Sequence, residues 1–184
     1  MFARFRRARP EDDISAALYG VIVAQSRTPS LYTDLAVPDT IEGRFEMVVM
    51  HLALVLRRVW QGDDAARVAG QATFDVFCRE MDDALRALGV KDTSVGKRMR
   101  KLAEAYYGRA AAYDEAFAAG RPEALAAVVG RTVYGDEAAV AAPALADYMT
   151  AINRTLAATP VPRVLAGGIE WPVPAGTPAP ETHP

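Results

Sequence analysis

Cysteine is nearly absent from this sequence: Cys78 stands alone among 184 residues. No disulfide can form within the chain, and a reducing compartment fits. Histidine is as scarce, with only His51 and His183. A structural zinc site takes four Cys or His ligands, and three such residues far apart in sequence do not supply it. A Ser-His-Asp arrangement cannot be built around His51 alone. Long apolar runs are missing too. MVVMHLALVL at 47–56 is the longest, ten residues with a histidine inside, whereas a membrane-spanning helix needs roughly 17–25. It reads as a buried core helix. No segment alternates with period two, and no internal repeat is visible, so a sheet is not expected. A phosphate loop is absent despite a superficial likeness at GVKDTSVGKRMRK (89–101): Gly89 and Gly96 are separated by six residues, and the loop requires four between its glycines. Arg98 also follows Lys97 where a hydroxyl would be needed.

What is present is alanine, an apolar fraction of 51% and a charged fraction of 24%, the composition of a helical globular chain. The net charge of −2 is unevenly spread. Residues 1–109 carry 17 Lys/Arg against 15 Asp/Glu, and residues 110–184 carry 4 against 8. Such asymmetry speaks of partners, not of fold. Hydrophobic spacing predicts helices over 11–25, 41–60, 65–88, 94–119, 122–132 and 138–158, with Asp39 or Thr40 capping the second and Gly89 stopping the third. The fold class expected is all-α: a single-domain bundle of five to seven helices with short loops. Residues 1–10 form a basic N-terminal tail, 11–158 the helical body, and 159–184 a Pro-rich extended or disordered tail that cannot be helical, mobile after about 174. Ile169 and Trp171 are the residues able to anchor part of that tail. MFARFRRAR runs into Pro10 and three acids where a secretory signal needs an apolar stretch, so no signal is expected.

Three clusters invite a chemical reading. His51 with Met47 or Met50 suggests haem ligation, but a hydrogen-bonded core histidine explains it as well, and no cofactor is expected. Glu42 and Glu46, one turn apart, suggest a metal or acid–base pair; a solvated pair, or one matched by Arg44 and Arg57, is the simpler account. The third is DTSVGKRMRKLAEAYYGR (92–109). Asp92, Thr93 or Ser94 is the expected cap, and Lys97, Arg98, Arg100 and Lys101 then crowd the first two turns, the end where the helix dipole disfavours cations. Either these cations form a solvated face paired with acids such as Asp82 and Asp83, or they attract an anionic partner. The candidate binding residues are therefore Lys97, Arg98, Arg100, Lys101, Tyr106, Tyr107 and Arg109, with one tyrosine packed inward and the other extending the surface.

LYGVIVAQSRTPSLYTDLAVPDTIEGRFEMVVMHLALVLRR, followed by a Phe-rich helix and LGVKDTSVGKRMRKLAEAYYGR, resembles the ubiquinol–cytochrome c chaperone family over about residues 11–150. The resemblance implies an all-α, non-enzymatic assembly factor for respiratory complex III that helps newly made cytochrome b join its partners. A second small partner works with mitochondrial members and is not carried over to this chain. The start of the sequence resembles a bacterial version. A cytoplasmic location follows, peripheral at the inner membrane, or on the matrix side if eukaryotic. The Arg4–Arg9 and Lys97–Lys101 clusters suit the anionic membrane surface or the ribosome. Two rival functions are a haem- or other cofactor-binding helical bundle and an RNA- or ribosome-binding helical protein; the sequence pI of about 5.7 speaks against the second.

Overall fold

A computed structural model describes residues 10–174, and of residues 10–13 the backbone only. Eight α-helices and one π-helical turn make up the described residues, with no strand among them. In chain order they are α1 (Pro10–Ser26), α2 (Pro29–Thr33), α3 (Ile41–Val59), α4 (Asp64–Ala87), α5 (Asp92–Ala119), α6 (Pro122–Val129), the π turn Gly130–Tyr134, α7 (Ala142–Ala158) and α8 (Val161–Leu165). The six helices longer than five residues correspond to the six expected; α2 and α8 are single turns placed by Pro29 and Pro162 in their first turns, where proline loses no hydrogen bond.

The bundle is organised around α3. Thr40 is extended and its hydroxyl accepts from the Gly43 N–H, satisfying one orphan donor of the first turn. From Val49 to Leu56 every residue is buried. A helix apolar all round must be covered all round, and α1, α4, α5, α7, α8 and the π turn all pack on it. Each Leu or Val so buried contributes about 1.5–3 kcal/mol. Arg57 and Arg58 end the helix where its dipole favours cations. Arg57 pairs with Asp114, and Arg58 donates to the Leu156 and Thr159 carbonyls, tying α3 to α5 and to the end of α7.

At Gly120 the chain turns left-handed (φ 63°), which ends α5. Gly130 opens the π turn, where an added Cβ would stand 2.5 Å from the Asp136 carbonyl oxygen. The extra residue per turn carries the chain from α6 into the approach to α7, which begins at Ala142, not 138, because Pro143 belongs in a first turn.

The expectation that the tail from 159 cannot be helical is corrected for Val161–Leu165, which forms α8 with Val164 buried. Residues 168–174 carry no helix, and the two expected anchors are in place: Ile169 is buried and Trp171 lies against His51. Prolines at 160 and 162 start a helix instead of breaking one, and that helix packs on α1, α3 and α4 with Val164 buried. The basic stretch Arg4–Arg9, His183 and the expected mobile end after 174 lie outside the described residues.

Candidate functional site

The basic segment lies deeper in its helix than its sequence suggests. Lys91 is the extended residue before α5 and makes no side-chain cap, and Asp92 is already helical and paired with Arg86. Asp92, Thr93 and Ser94 are therefore not the cap. Lys97 becomes the sixth residue of the helix and Lys101 the tenth, in its second and third turns. The dipole penalty fades within the first turn, so the expected conflict between cations and helix end is largely relieved.

Lys97, Arg98, Arg100 and Lys101 are all exposed, and among the described residues none of the four has an ion pair. Of the acids proposed to neutralise them, Asp82 pairs with Arg86 at 2.5 Å, and Asp83 forms no ion pair among the described residues. Helical spacing sorts the four. Lys97 and Lys101 stand outermost. Arg100 shares a flank with Tyr107, and Arg98 stands one turn before Leu102 on the opposite flank.

One of the two tyrosines packs inward, as expected, and Arg109 is held in an ion pair. Tyr106 is fully buried, ringed by Phe74 (4.7 Å between centroids) and Phe77 (6.2 Å). It is the inward tyrosine because it continues the Val95–Met99–Leu102 stripe. Its hydroxyl has no partner among the described residues, and burial raises its pKa. Tyr107 is 55% exposed and rests one edge on Phe74. Arg109 is half-buried and grips Glu46 with two nitrogens, each 2.5 Å from one carboxylate oxygen. This bidentate bond holds the guanidinium more firmly charged than usual.

That pair corrects the expectation for Glu42 and Glu46. Glu46 is buried and matched by Arg109, not by Arg44 or Arg57. Arg44 pairs with Asp39 and Arg57 with Asp114, while Glu42 is exposed. A signal was present in the sequence: Glu46 interrupts an otherwise apolar helix, and Arg109 sits seven residues after Leu102 on the inward stripe of α5. Between these elements α3, α4 and α5 leave an open hollow of about 410 Å³, with Glu46 in its lining.

His51 is closed to ligands. It is completely buried, its Nδ1 donates to the Met47 carbonyl (2.7 Å), and its Nε2 accepts from the Tyr148 hydroxyl (3.0 Å). The Tyr148 oxygen in turn accepts from the Gln25 side-chain amide (2.7 Å). These directions form one consistent chain in which every donor has an acceptor. Burial pushes the imidazole pKa down to about 4 and the Tyr148 phenol up to about 12, so both are neutral at pH 7. Haem ligation by His51 would require breaking this chain, and Met47 meets the ring through its carbonyl oxygen, not its sulfur. The hydrogen-bonded core histidine is what the structure shows.

The family model described as ubiquinol-cytochrome C chaperone matches residues 33–171. Among solved structures, the crystal structure of the Cbp3 homolog from Brucella abortus aligns with a TM-score of 0.81 and 35% sequence identity, covering 92% of this chain and 94% of that one. No curated protein matches.

Proposed function

Because the chain belongs to the ubiquinol-cytochrome C chaperone family, we propose that it is a non-enzymatic assembly chaperone for respiratory complex III, with newly made cytochrome b as its client. The single observation that carries the contact is the outer face of α5, where Lys97, Arg98, Arg100 and Lys101 are exposed without ion pairs among the described residues. Four like charges on two turns repel one another and contribute nothing to the fold. An anionic partner removes that repulsion. A client that has just entered the inner membrane brings such a partner with it, because the cytoplasmic leaflet is negatively charged and draws basic surfaces at about 1 kcal/mol per Lys or Arg. Tyr107 extends the same face with an amphipathic ring. The chaperone works in the cytoplasm, peripheral at the inner membrane, and holds the client by surface contact.

Replacing Lys97, Arg98, Arg100 and Lys101 together with glutamine tests this reading. Glutamine is as good a helix former as lysine or arginine, so melting should stay level or rise slightly. Flotation with anionic vesicles should weaken, the wild-type interaction should fade with added salt, and complex III content in cells should fall. A quadruple variant that assembles complex III as well as wild type defeats the proposal.

A further inference from the structure

The hollow beside α5 is built differently from the other surface concavities of similar size. One, between α6 and α7, is lined mainly by alanine, and another, between α1, α4 and α8, mixes four alanines with Ile14, Val161 and Leu165. The α3–α4–α5 groove is lined mainly by long side chains. Phe45, Val48, Met81, Leu85 and Leu102 are half-buried along its floor. At its two edges Ile41 is 70% and Leu88 67% exposed. Two such residues left in water at one concavity, with a deformable methionine between them, make a contiguous apolar surface that the fold itself does not cover.

Its dimensions and charges describe an occupant. The α3 wall runs from Ile41 to Val48 and the α4 wall from Met81 to Leu88, each eight residues, whose seven steps cover about 10 Å at the rise of a helix. That length accepts two turns of a helix presenting apolar residues at i, i+3, i+4 and i+7. All three walls are helices whose backbone groups are already paired, so there is no strand edge to extend. The floor is electrically closed, because Glu46 there is held by Arg109. Arg44 in the lining is held by Asp39. The remaining cations are Arg27, in the lining on the α1 side, and, just beyond the lining on α5, Arg98, one turn before Leu102, and Lys101 next to it. None of these three has an ion pair among the described residues. Exposed Glu42 is the one acid on the rim. A bilayer is met by protruding side chains, whereas Phe45, Val48, Met81, Leu85 and Leu102 here are recessed between three helices.

We infer that the α3–α4–α5 groove is a docking site for a short amphipathic helix of a client protein, apolar on one face and carrying carboxylates beside that face. The inference deepens the chaperone reading by stating the chemistry of the client segment, and it stands whichever subunit supplies the segment.

The test uses purified full-length protein and a fluorescein-labelled alanine-based peptide of about 16 residues, long enough to be helical, with leucines at i, i+3, i+4 and i+7 and flanking glutamates. A second peptide replaces the glutamates with lysines. Anisotropy should show saturable binding of the glutamate peptide, and the lysine peptide should bind about tenfold more weakly or less, since like charges then face each other. Leu88→Glu and Ile41→Glu should each weaken the glutamate peptide at least about tenfold. Both residues are mostly exposed, and a glutamate at the first turn of α3 is favoured by the dipole, so melting curves should match wild type. Val140→Glu, at a site 98% exposed and outside the groove lining, should bind as wild type. Equal binding of both peptides, undiminished binding by Leu88→Glu and Ile41→Glu, or no binding by wild type overturns the assignment. So does sedimentation showing a wild-type dimer that Leu88→Glu dissolves, which gives the groove to a second copy. Loss of anionic-vesicle binding in Leu88→Glu while the peptide is ignored gives it to the membrane. Because the peptide assay needs no client, it fails independently of the complex III assay above.

Discussion

Removing Arg109 should expose how the bundle holds a charge in its interior. Glu46 is 6% exposed, and its carboxylate is matched by the Arg109 guanidinium alone among the described ion pairs. Arg109→Leu leaves that carboxylate buried without a counter-charge. Cutting one side of a buried pair costs about 3–5 kcal/mol. The Arg109 side chain keeps 24% of its surface in water, so solvent reaches the vacated space and the lower figure, about 3 kcal/mol, applies. For a domain of this size 1 kcal/mol moves the melting temperature by about 2–4 °C, and the variant should therefore melt about 6–12 °C below wild type. Glu46→Leu strands the cation instead, which can turn outward, and should cost about half as much. Glu46→Leu with Arg109→Leu removes both charges and should recover at least half of the Arg109→Leu loss. Urea unfolding and thermal melts of the four proteins at pH 7 complete the cycle. An Arg109→Leu melting point within about 2 °C of wild type, or losses that simply add in the double variant, would refute the reasoning and make the pair a solvent-screened surface contact.

Two further outcomes follow from the packing around α3. Burial holds the His51 pKa at about 4, below its ordinary 6.5, so the unfolded chain takes up the proton first; His51's contribution is complete above pH 6.5 and is lost as pH falls through 4, about 3 kcal/mol in all between pH 7 and 4. His51→Gln should remove that slope, and a wild-type-minus-variant difference in unfolding free energy that stays flat across this range counts against it. Ending the chain at Pro160 uncovers the site of Val164 and Ile169, both buried, for a loss of about 3–6 kcal/mol; a melting point lowered by less than about 5 °C would mean that α8 and its neighbours only lie on the surface.

The six longer helices were legible because each buries one stripe and carries its own stop or start. Ala-rich spacing, Gly120 and Pro122 mark α5 and α6, and the apolar run after Glu46 announces a helix covered on every side. Features that depend on what meets what were not legible. The turn at Val161–Leu165 looks like the start of a proline-rich coil until the surface of α1, α3 and α4 that receives it is known. Lys97–Lys101 could be placed on one helix, but whether Asp82 neutralises them depends on Arg86, which takes Asp82 and Asp92 together. Tyr106 and Tyr107 are indistinguishable in composition; only the direction of the α5 stripe sends the first inward. Glu46 and Arg109 are sixty-three residues apart, and the groove beside them is a space between three helices, with no signature in any one of them.

The contact between His51 and Trp171, rings 5.5 Å apart at 74°, also sets an order in time. The chain emerges from its own ribosome N-terminus first, at about 5–20 residues per second, so the 120 residues between these two rings take about 6–24 s to make. Through that interval α3, buried at every residue from Val49 to Leu56, lacks the cover that α8 and Trp171 give it. Its neighbours α1 and α4 must hold it in the meantime. A member of a chaperone family thus passes through part of its own synthesis with an apolar helix still uncovered.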